Sequence, residues 1–200
     1  MESFPIFINL KKKPVIVIGG GDISLRKVKL LLKADPKITL ISRKICKDLK
    51  ELLVGPNHKI LQKSFQESDL KTPILIIAAT NNAKTNKRIS TYAQQKNILI
   101  NVVDQPKLCT FTMGSIVERD SLVISISSGG KAPVLVRKIR EKIETLIPQS
   151  YAELVRLSGT LRSMVKKNIQ SGVKRRIFWE EFFESDYIQN FILLPKKLDM

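Results

Sequence analysis

The sequence predicts an α/β fold built around a parallel sheet. Over the first half of the chain, short runs of β-branched and aliphatic residues alternate with stretches in which apolar side chains recur every three or four positions. This alternation is typical of parallel strands joined by helices. A glycine-rich turn also joins the first such strand to the first such helix. Together these observations indicate a Rossmann-type sheet of about 110 to 150 residues, which leaves room for an appendage.

The first strand is predicted at residues 15–18, four consecutive β-branched residues that suit burial on both faces. The next helix is predicted from apolar residues at positions 25, 28, 31 and 32. The turn between them reads G-x-G-x-x-S. Gly19 permits a tight turn, Gly21 lets a phosphate approach the backbone, and Ser24 is small enough for the helix to pack on the strand. We expect a pyrophosphate at this helix N-terminus, and the alternative is an ordinary strand-turn-helix.

The second strand is predicted at residues 37–42 and is followed by Arg43 and Lys44. NAD-binding sheets usually present an acidic residue here to the ribose hydroxyls, and this chain has none. Arg43 suits the 2′-phosphate of NADP, whereas backbone contacts to the adenosine would make the site indifferent to that phosphate. The strand end therefore leaves NAD and NADP both open as the cofactor.

The predicted sheet is completed by strands at residues 4–10, 60–61, 74–80 and 98–103, with helices at 45–54 and 83–96. The last of these strands is followed by Asp104, with no other carboxylate within a dozen residues on either side. Open α/β sheets bind their ligands at this edge, so Asp104 suits a general base or acid beside a nicotinamide ring. The alternative is an aspartate that only caps the turn.

The pattern changes after Asp104. Strand-like runs at 111–117 and 122–127 predict an antiparallel hairpin, and helices are predicted at 133–147, 151–165 and 173–183. The turn before the first of these helices contains Ser128, Gly129 and Lys131, which suit either an anion-holding turn or a plain helix cap. We expect three segments: a dinucleotide-binding domain at 1–112, a hairpin and helix at 113–147, and a helical domain at 148–200.

The formal net charge of +17 favours a polyanionic partner. A multiply carboxylated small molecule fits better than nucleic acid or a membrane surface. The basic residues near position 170 are followed by acids at 180, 181 and 184, and no apolar run is long enough to span a bilayer. Cys46, Cys109 and the single histidine, His58, have no metal-ligand spacing, so we expect no protein-held metal. Sparse cysteines and the absence of a secretory signal predict a cytoplasmic protein.

Taken together, these residues resemble the precorrin-2 dehydrogenase family, the dehydrogenase module of siroheme synthases. The resemblance covers nearly the whole chain. The motifs that carry it are Phe4-Pro5-Ile6-Phe7, Val17-Ile18-Gly19-Gly20-Gly21-Asp22 with Arg26-Lys27, Ala78-Ala79-Thr80, Asn101-Val102-Val103-Asp104, the stretches 127–135 and 137–144, and Arg175-Arg176 with Phe178-Trp179.

The resemblance implies an oxidoreductase that uses NAD to remove two hydrogens from precorrin-2, giving sirohydrochlorin in siroheme (porphyrin) biosynthesis. It also implies a homodimer in which the hairpin and the following helix form the dimerisation region. Asp104 matches the catalytic position. The expected cofactor contacts are Gly19, Gly21, Asp22, Ile23, Arg43, Lys44, Thr80 and Val102, and the expected substrate contacts are Ser128, Gly129 and Lys131.

Two alternatives stay open at this point. Some members of the family also insert Fe²⁺ into sirohydrochlorin, and this chain lacks the histidine cluster of dedicated chelatases, so ferrochelatase activity is undecided. The second alternative is a nicotinamide-sensing regulatory module without catalysis, since the same nucleotide-binding fold occurs in channel regulators. Such regulators usually carry an acid after the second strand, where this chain has Arg43 and Lys44.

Overall fold

A computed structural model describes residues 2–193, and the chain divides between Met113 and Gly114 into two compact units. The first unit contains a five-stranded parallel sheet with three helices. Its elements are β1 (Pro14–Ile18), α1 (Asp22–Leu32), β2 (Lys37–Ile41), α2 (Lys47–Leu52), β3 (Lys59–Leu61), β4 (Leu75–Ala78), α3 (Ala83–Gln95) and β5 (Leu99–Val102). Short 3₁₀ turns lie at Glu67–Asp69 and Pro106–Leu108.

The strand order is β3-β2-β1-β4-β5, with every neighbouring pair parallel. From β1 the chain moves outward through β2 to β3, and it then returns to the other side of β1 to form β4 and β5. The order therefore reverses beside β1, and the carboxyl ends of β1 and β4 form the switch point where such sheets bind their ligands. The predicted Rossmann-type sheet is confirmed.

The side chains of β1 alternate between two apolar layers. Val15 and Val17 pack with Val28 and Leu31 of α1 on one face of the sheet. Ile16 and Ile18 pack on the other face in a cluster that includes Ile89 and Ala93 of α3. All four β1 side chains are buried because helices cover both faces, which is the physical basis of the uninterrupted β-branched run.

The predicted strand at residues 4–10 is wrong. Residues 4–9 form no strand in the described chain, and the side chains of Phe4 and Phe7 are 80% and 75% exposed. One outer edge of the sheet, that of β5, is already used: the N–H groups of Thr110 and Phe111 both donate to the carbonyl of Ile100. Local apolar content could not reveal that a later segment occupies this edge.

The second unit begins with the predicted antiparallel hairpin, β6 (Ser115–Arg119) and β7 (Leu122–Ile126). Four helices follow: α4 (Pro133–Leu146), α5 (Ser150–Asn168), α6 (Gly172–Glu184) and α7 (Asp186–Leu193). The last one is absent from the sequence prediction. The guanidinium of Arg119 donates to the carbonyls of Glu144 and Ile147, so the hairpin caps the C-terminal end of α4.

The helices of the second unit share a small core. Leu154 of α5 packs with Ile188 and Ile192 of α7, and the Ser150 hydroxyl donates to the Ile192 carbonyl at 2.9 Å. By contrast, no residue of α4 is buried. Its apolar side chains Val134 and Leu135 are 63% and 58% exposed.

We expect Asp69→Asn to destabilise the first unit near neutral pH by about 1 kcal/mol. The Asp69 carboxylate accepts from the Lys63 ammonium at 2.5 Å and from the backbone N–H of Gln66 at 2.9 Å. Burial raises the pKa of Asp69, but these hydrogen bonds outweigh burial and hold the pKa below its usual value. Its stabilisation is therefore complete above the ordinary carboxyl pKa and is lost as pH falls through the folded-state pKa.

Urea unfolding from pH 7 to pH 3 measures this effect. The free-energy difference between the wild type and Asp69→Asn should shrink in acid, whereas the exposed turn variant Asp35→Asn should follow the wild type throughout. A difference that stays constant over that pH range would contradict the assignment.

Candidate functional site

The candidate site begins at the glycine loop between β1 and α1, which is held between two other loops. A Cβ on Gly19 would collide with the carbonyl oxygen of Ala79 at the end of β4, and Gly19 has a φ of +128° that favours glycine. A Cβ on Gly20 would collide with the carbonyl oxygen of Lys44, in the loop after β2. The loop therefore needs glycine at both positions, and the predicted tight turn at Gly19 is confirmed.

Gly21 differs from its two neighbours, because a Cβ there would meet no protein atom within 4 Å. It is the N-cap of α1, in extended conformation, and its position provides no side-chain acceptor for the N–H groups of the first turn. Orphan N–H groups and the helix dipole together suit a negatively charged ligand. Asp22 is exposed and Ile23 is half-buried in this same turn.

Ser24 provides an independent observation at the same turn. Its side chain is fully buried, and its hydroxyl is the one buried side-chain oxygen or nitrogen within residues 2–193 that has no hydrogen-bond partner. The hydroxyl lies 2.9 Å from where a Cβ on Gly19 would stand, so the predicted close packing of a small residue here is confirmed. An unpaired buried hydroxyl costs free energy that a hydrogen-bonding ligand at the loop would offset. The turn therefore fits a dinucleotide pyrophosphate.

The loop after β2 is fastened to the glycine loop. The N–H of Cys46 donates to the carbonyl of Gly20 at 2.9 Å, and the Ser42 hydroxyl donates to the carbonyl of Lys44 at 2.8 Å. Arg43 and Lys44 are exposed on this loop. The structure thus places the two predicted adenosine contacts next to the glycine loop, and it brings no carboxylate from β2 to the same place.

Thr80 follows β4 and its hydroxyl is engaged within the protein. It donates to the side-chain oxygen of Asn86 at 2.6 Å, and the amide of Asn86 donates back to the Thr80 carbonyl at 3.0 Å. Asn82 caps α3 by accepting from the N–H of Thr85. This network fixes the loop between β4 and α3 beside Gly19, so Thr80 supports the site through the shape of the backbone.

Asp104 follows β5 on the same edge of the sheet, exposed and with a φ of 57°. The thiol of Cys109 fastens the loop that carries it: Sγ lies 3.1 Å from the N–H of Val102, and the thiol lies 3.2 Å from the Val102 carbonyl and 3.4 Å from that of Gln105. Val102 itself is buried, and its backbone groups are engaged by this thiol. Aspartate tolerates the left-handed conformation that turns its carboxylate outward.

Lys27 belongs to one of the motifs that carry the resemblance, but the sequence did not predict it as a site residue. Burial lowers the pKa of this lysine and repulsion from Arg26 lowers it further, while attraction to Asp104 and to Cys109 opposes both. Lys27 on α1 and Asp104 after β5 therefore interact electrostatically. The sequence does not show which side of α1 faces the carboxyl edge of the sheet. The interaction between Lys27 and Asp104 could therefore be seen only in the folded structure.

The predicted residues of the turn before α4 lie in the second unit. The hydroxyl oxygen of Ser128 accepts from the N–H of Ala132 at 3.0 Å, and that of Ser127 accepts from the N–H of Gly129 at 3.1 Å. Gly129 and Gly130 both have positive φ. These contacts hold the turn itself, because the N-cap of α4 is Ala132 and no side chain caps the helix. The Ser128 hydroxyl can still donate through its own hydrogen.

Comparisons with known proteins connect this geometry to a family. The family model described as "Putative NAD(P)-binding" matches residues 6–115, more than half of the chain. The chain belongs to this NAD(P)-binding family. Two further models match behind it: "Sirohaem biosynthesis protein central" at residues 119–146 and "Sirohaem synthase dimerisation region" at residues 150–191. The resemblance to the dehydrogenase module of siroheme synthases is thereby confirmed.

Curated relatives agree with the family assignment. The chain is 47% identical over 183 residues to a siroheme synthase of Vesicomyosocius okutanii and 44% identical over 184 residues to one of Methylobacillus flagellatus. Each match covers 92% of this chain and 39% of the relative, so the chain spans about two fifths of the length of these proteins. A siroheme synthase of Buchnera aphidicola is 38% identical over 192 residues, covering 96% of this chain and 41% of the relative.

A solved structure shows the same fold. SirC, a precorrin-2 dehydrogenase, matches with a TM-score of 0.77 and 21% sequence identity, covering 94% of this chain and 92% of that one. Within the described range 2–193, no group of three or more histidine, cysteine, aspartate or glutamate side chains is arranged to hold a metal ion. No helix among those same residues has both the length and the apolar character to cross a membrane.

We expect Gly20→Ala to lower the unfolding free energy by about 2 kcal/mol, because its Cβ would displace the Lys44 carbonyl. Gly21→Ala should cost about 0.5 kcal/mol, since only the cap preference changes and the space is open. Urea unfolding of the two variants measures both values. Equal stability of Gly20→Ala and Gly21→Ala would show that the loop after β2 does not press on Gly20.

Proposed function

We propose that this chain is an NAD-dependent precorrin-2 dehydrogenase, an oxidoreductase that converts precorrin-2 to sirohydrochlorin in siroheme biosynthesis. The observation that carries the proposal is the meeting of an uncapped helix N-terminus and a carboxylate on one edge of a single sheet. Family membership and the siroheme synthase relatives support the choice of substrate. The name of the structural neighbour, precorrin-2 dehydrogenase, agrees with it.

We assign the cofactor site to the carboxyl ends of β1, β2, β4 and β5. The first-turn N–H groups after Gly21, at Asp22 and Ile23, would bind the pyrophosphate with the buried Ser24 hydroxyl beside them. Arg43 and Lys44 would face the adenosine, and the absence of a carboxylate after β2 leaves room for NADP as well as NAD. Thr80 and Val102 would border the site through their backbone.

When bound, the nicotinamide supplies the oxidation by accepting a hydride from a ring carbon of the substrate. Loss of that hydride leaves a neighbouring proton to be removed, and Asp104 is the carboxylate placed to accept it at a side-chain oxygen. The Cys109 thiol keeps the Asp104 loop in one conformation, so the carboxylate is preorganised for the transfer. The Lys27 ammonium on α1 attracts the Asp104 carboxylate electrostatically, so the two groups belong to one site.

Precorrin-2 carries eight carboxylates, which suits a chain of formal charge +17. We assign Ser128, Gly129 and Lys131 to substrate carboxylates, with the Ser128 hydroxyl as a donor and the Lys131 ammonium as a charge. Positive charge accelerates association with such a polyanion and orients it on approach.

We propose a homodimer, because a dimerisation region matches at 150–191 and α4 leaves its apolar face exposed. We retain the three-part division at 112/113 and 147/148, which the three family models approximate.

Fe²⁺ insertion into sirohydrochlorin would be a second reaction of the same protein, with iron as its substrate. Two free cysteines support a reducing compartment, the cytoplasm.

The regulatory alternative receives no support from these observations. A sensor needs the dinucleotide cradle and does not need an exposed carboxylate held by a thiol at the same edge of the sheet. The relatives named above are synthases.

We expect Asp104→Asn to lower kcat for precorrin-2 oxidation by at least about 100-fold and to leave the Kd for NAD unchanged, since the variant keeps the side-chain shape but cannot accept the proton. The assay is anaerobic, following reduced nicotinamide and sirohydrochlorin by absorbance, with calorimetry for NAD. Repeating the assay with NADP in place of NAD measures the cofactor preference. Adding Fe²⁺ to the same assay shows whether the protein also inserts iron into sirohydrochlorin.

Asp35→Asn is the matched control, because Asp35 is also an exposed aspartate at positive φ and lies in the turn before β2. It should retain wild-type kcat. Wild-type turnover by Asp104→Asn would remove Asp104 from the mechanism, and a wild-type protein that binds NAD but leaves precorrin-2 unchanged would refute the dehydrogenase.

A further inference from the structure

A cleft of about 620 Å³ lies beside Asp104 in the first unit, between the start of α3 and the 3₁₀ turn after β5. It is lined by Ala83, Lys84, Lys87, Asp104, Gln105, Pro106, Lys107 and Leu108. Three of these eight residues are lysines, and all three are exposed. The cleft is therefore a basic cavity with one acid at its edge.

The three lysines form no ion pair within the part of the chain that the structure describes. Among residues 2–193, neither Lys84 nor Lys87 nor Lys107 forms an ion pair with an acidic side chain, whereas Arg88 on the same helix pairs with Glu67. Asp104 contributes one negative charge to the cleft against three positive ones. The cavity thus carries an unbalanced charge at a ligand-binding edge of the sheet.

Lys84 and Lys87 lie near the N-terminus of α3. Lys84 lies in the first turn of the helix, where the dipole disfavours cations, and that turn contains no acidic residue to offset it. Lys87 follows three residues later on the same helix. A sequence that breaks a local rule in this way without a compensating structural contact is typical of a functional site.

We propose that Lys84, Lys87 and Lys107 form a subsite for carboxylate groups of the polycarboxylated tetrapyrrole, next to the proton acceptor Asp104. This inference rests on the proposed function. Carboxylates bound by the three ammonium groups would hold one rim of the macrocycle in the cleft, so that its reacting carbon is kept near Asp104. Lysine suits this task because its flexible stem adapts to several carboxylates, where a bidentate arginine would fix one geometry.

The subsite makes the three lysines specificity-determining residues rather than catalytic ones. They would recognise the substituents of the substrate and would leave the proton transfer to Asp104. A loss of these charges should therefore appear in KM for precorrin-2, with little change in kcat and none in NAD affinity.

The test compares two triple variants of the full chain that remove the same net charge. Lys84→Gln/Lys87→Gln/Lys107→Gln empties the cleft of positive charge. Lys29→Gln/Lys50→Gln/Lys71→Gln removes three exposed lysines of the first unit that do not line it. The pair separates a local subsite from the general attraction of a basic protein for a polyanion.

We expect KM for precorrin-2 to rise about tenfold in the cleft variant, as three exposed charge pairs of modest strength would give. In the control variant KM should stay within about twofold of the wild type. An unchanged KM in the cleft variant would overturn the subsite, and so would an equal rise in both variants. Thermal unfolding of each variant shows that the fold is kept.

A binding measurement separates failure of the subsite from failure of the proposed reaction. Fluorescence titration with uroporphyrin, a macrocycle that also carries eight carboxylates, requires no turnover. Weaker binding by the cleft variant alone would support the subsite even for a protein that did not oxidise precorrin-2. Equal uroporphyrin affinity in all three proteins would overturn it even for an active dehydrogenase.

Inorganic phosphate, titrated against the wild-type complex with uroporphyrin, distinguishes carboxylate recognition from a phosphate site. Displacement only at phosphate concentrations that act through ionic strength, matched by sodium chloride, supports the carboxylate subsite. Displacement by stoichiometric phosphate that sodium chloride does not reproduce would contradict it.

Discussion

The close approach of three backbone segments at the carboxyl end of β1 is the constraint on which the site depends. Gly19 lies against the carbonyl of Ala79 and Gly20 against that of Lys44, so neither position has room for a side chain. This packing draws the ends of β4 and β2 toward the glycine loop and leaves the first turn of α1 directed outward with orphan N–H groups. Any larger residue at either position would push the neighbouring loop away from the glycine turn.

Three kinds of charged or polar group lie along the carboxyl edge of the sheet. The helix N-terminus offers backbone N–H groups at β1, while Asp104 and its thiol-held loop lie at β5. Beyond Asp104 the lysines at the start of α3 add positive charge that the helix itself disfavours. On the proposed assignment, a dinucleotide would lie at the first turn of α1 and a polycarboxylate beside α3, with Asp104 as the proton acceptor next to the polycarboxylate.

The sequence predicted the parts of the fold that local patterns determine. The run at 15–18 and the periodic residues of α1 predict a buried strand and its helix. The position of Asp104 at a strand end follows from the largely apolar run at 98–103. The hairpin at β6 and β7 was also predicted, because two strand-like runs are separated by only a short polar segment. Each of these signals comes from residues near one another in the chain.

What the sequence could not predict depends on distant segments. The apolar residues at 4–9 resemble a strand, and only the fold shows that residues 110–111 already hydrogen-bond to β5. The need for glycine at position 20 comes from Lys44, and the support of the Asp104 loop comes from Cys109. No sequence pattern predicts that the Cys109 thiol hydrogen-bonds to the loop that carries Asp104. This contact is visible only in the structure.

A crystal structure of the complex with NAD tests the central claim most directly. We expect electron density for the pyrophosphate at the first turn of α1, within hydrogen-bond distance of the N–H groups that follow Gly21, and for the nicotinamide on the side of the sheet where Asp104 lies. Density for the dinucleotide at another helix, or with its nicotinamide directed away from Asp104, would contradict it.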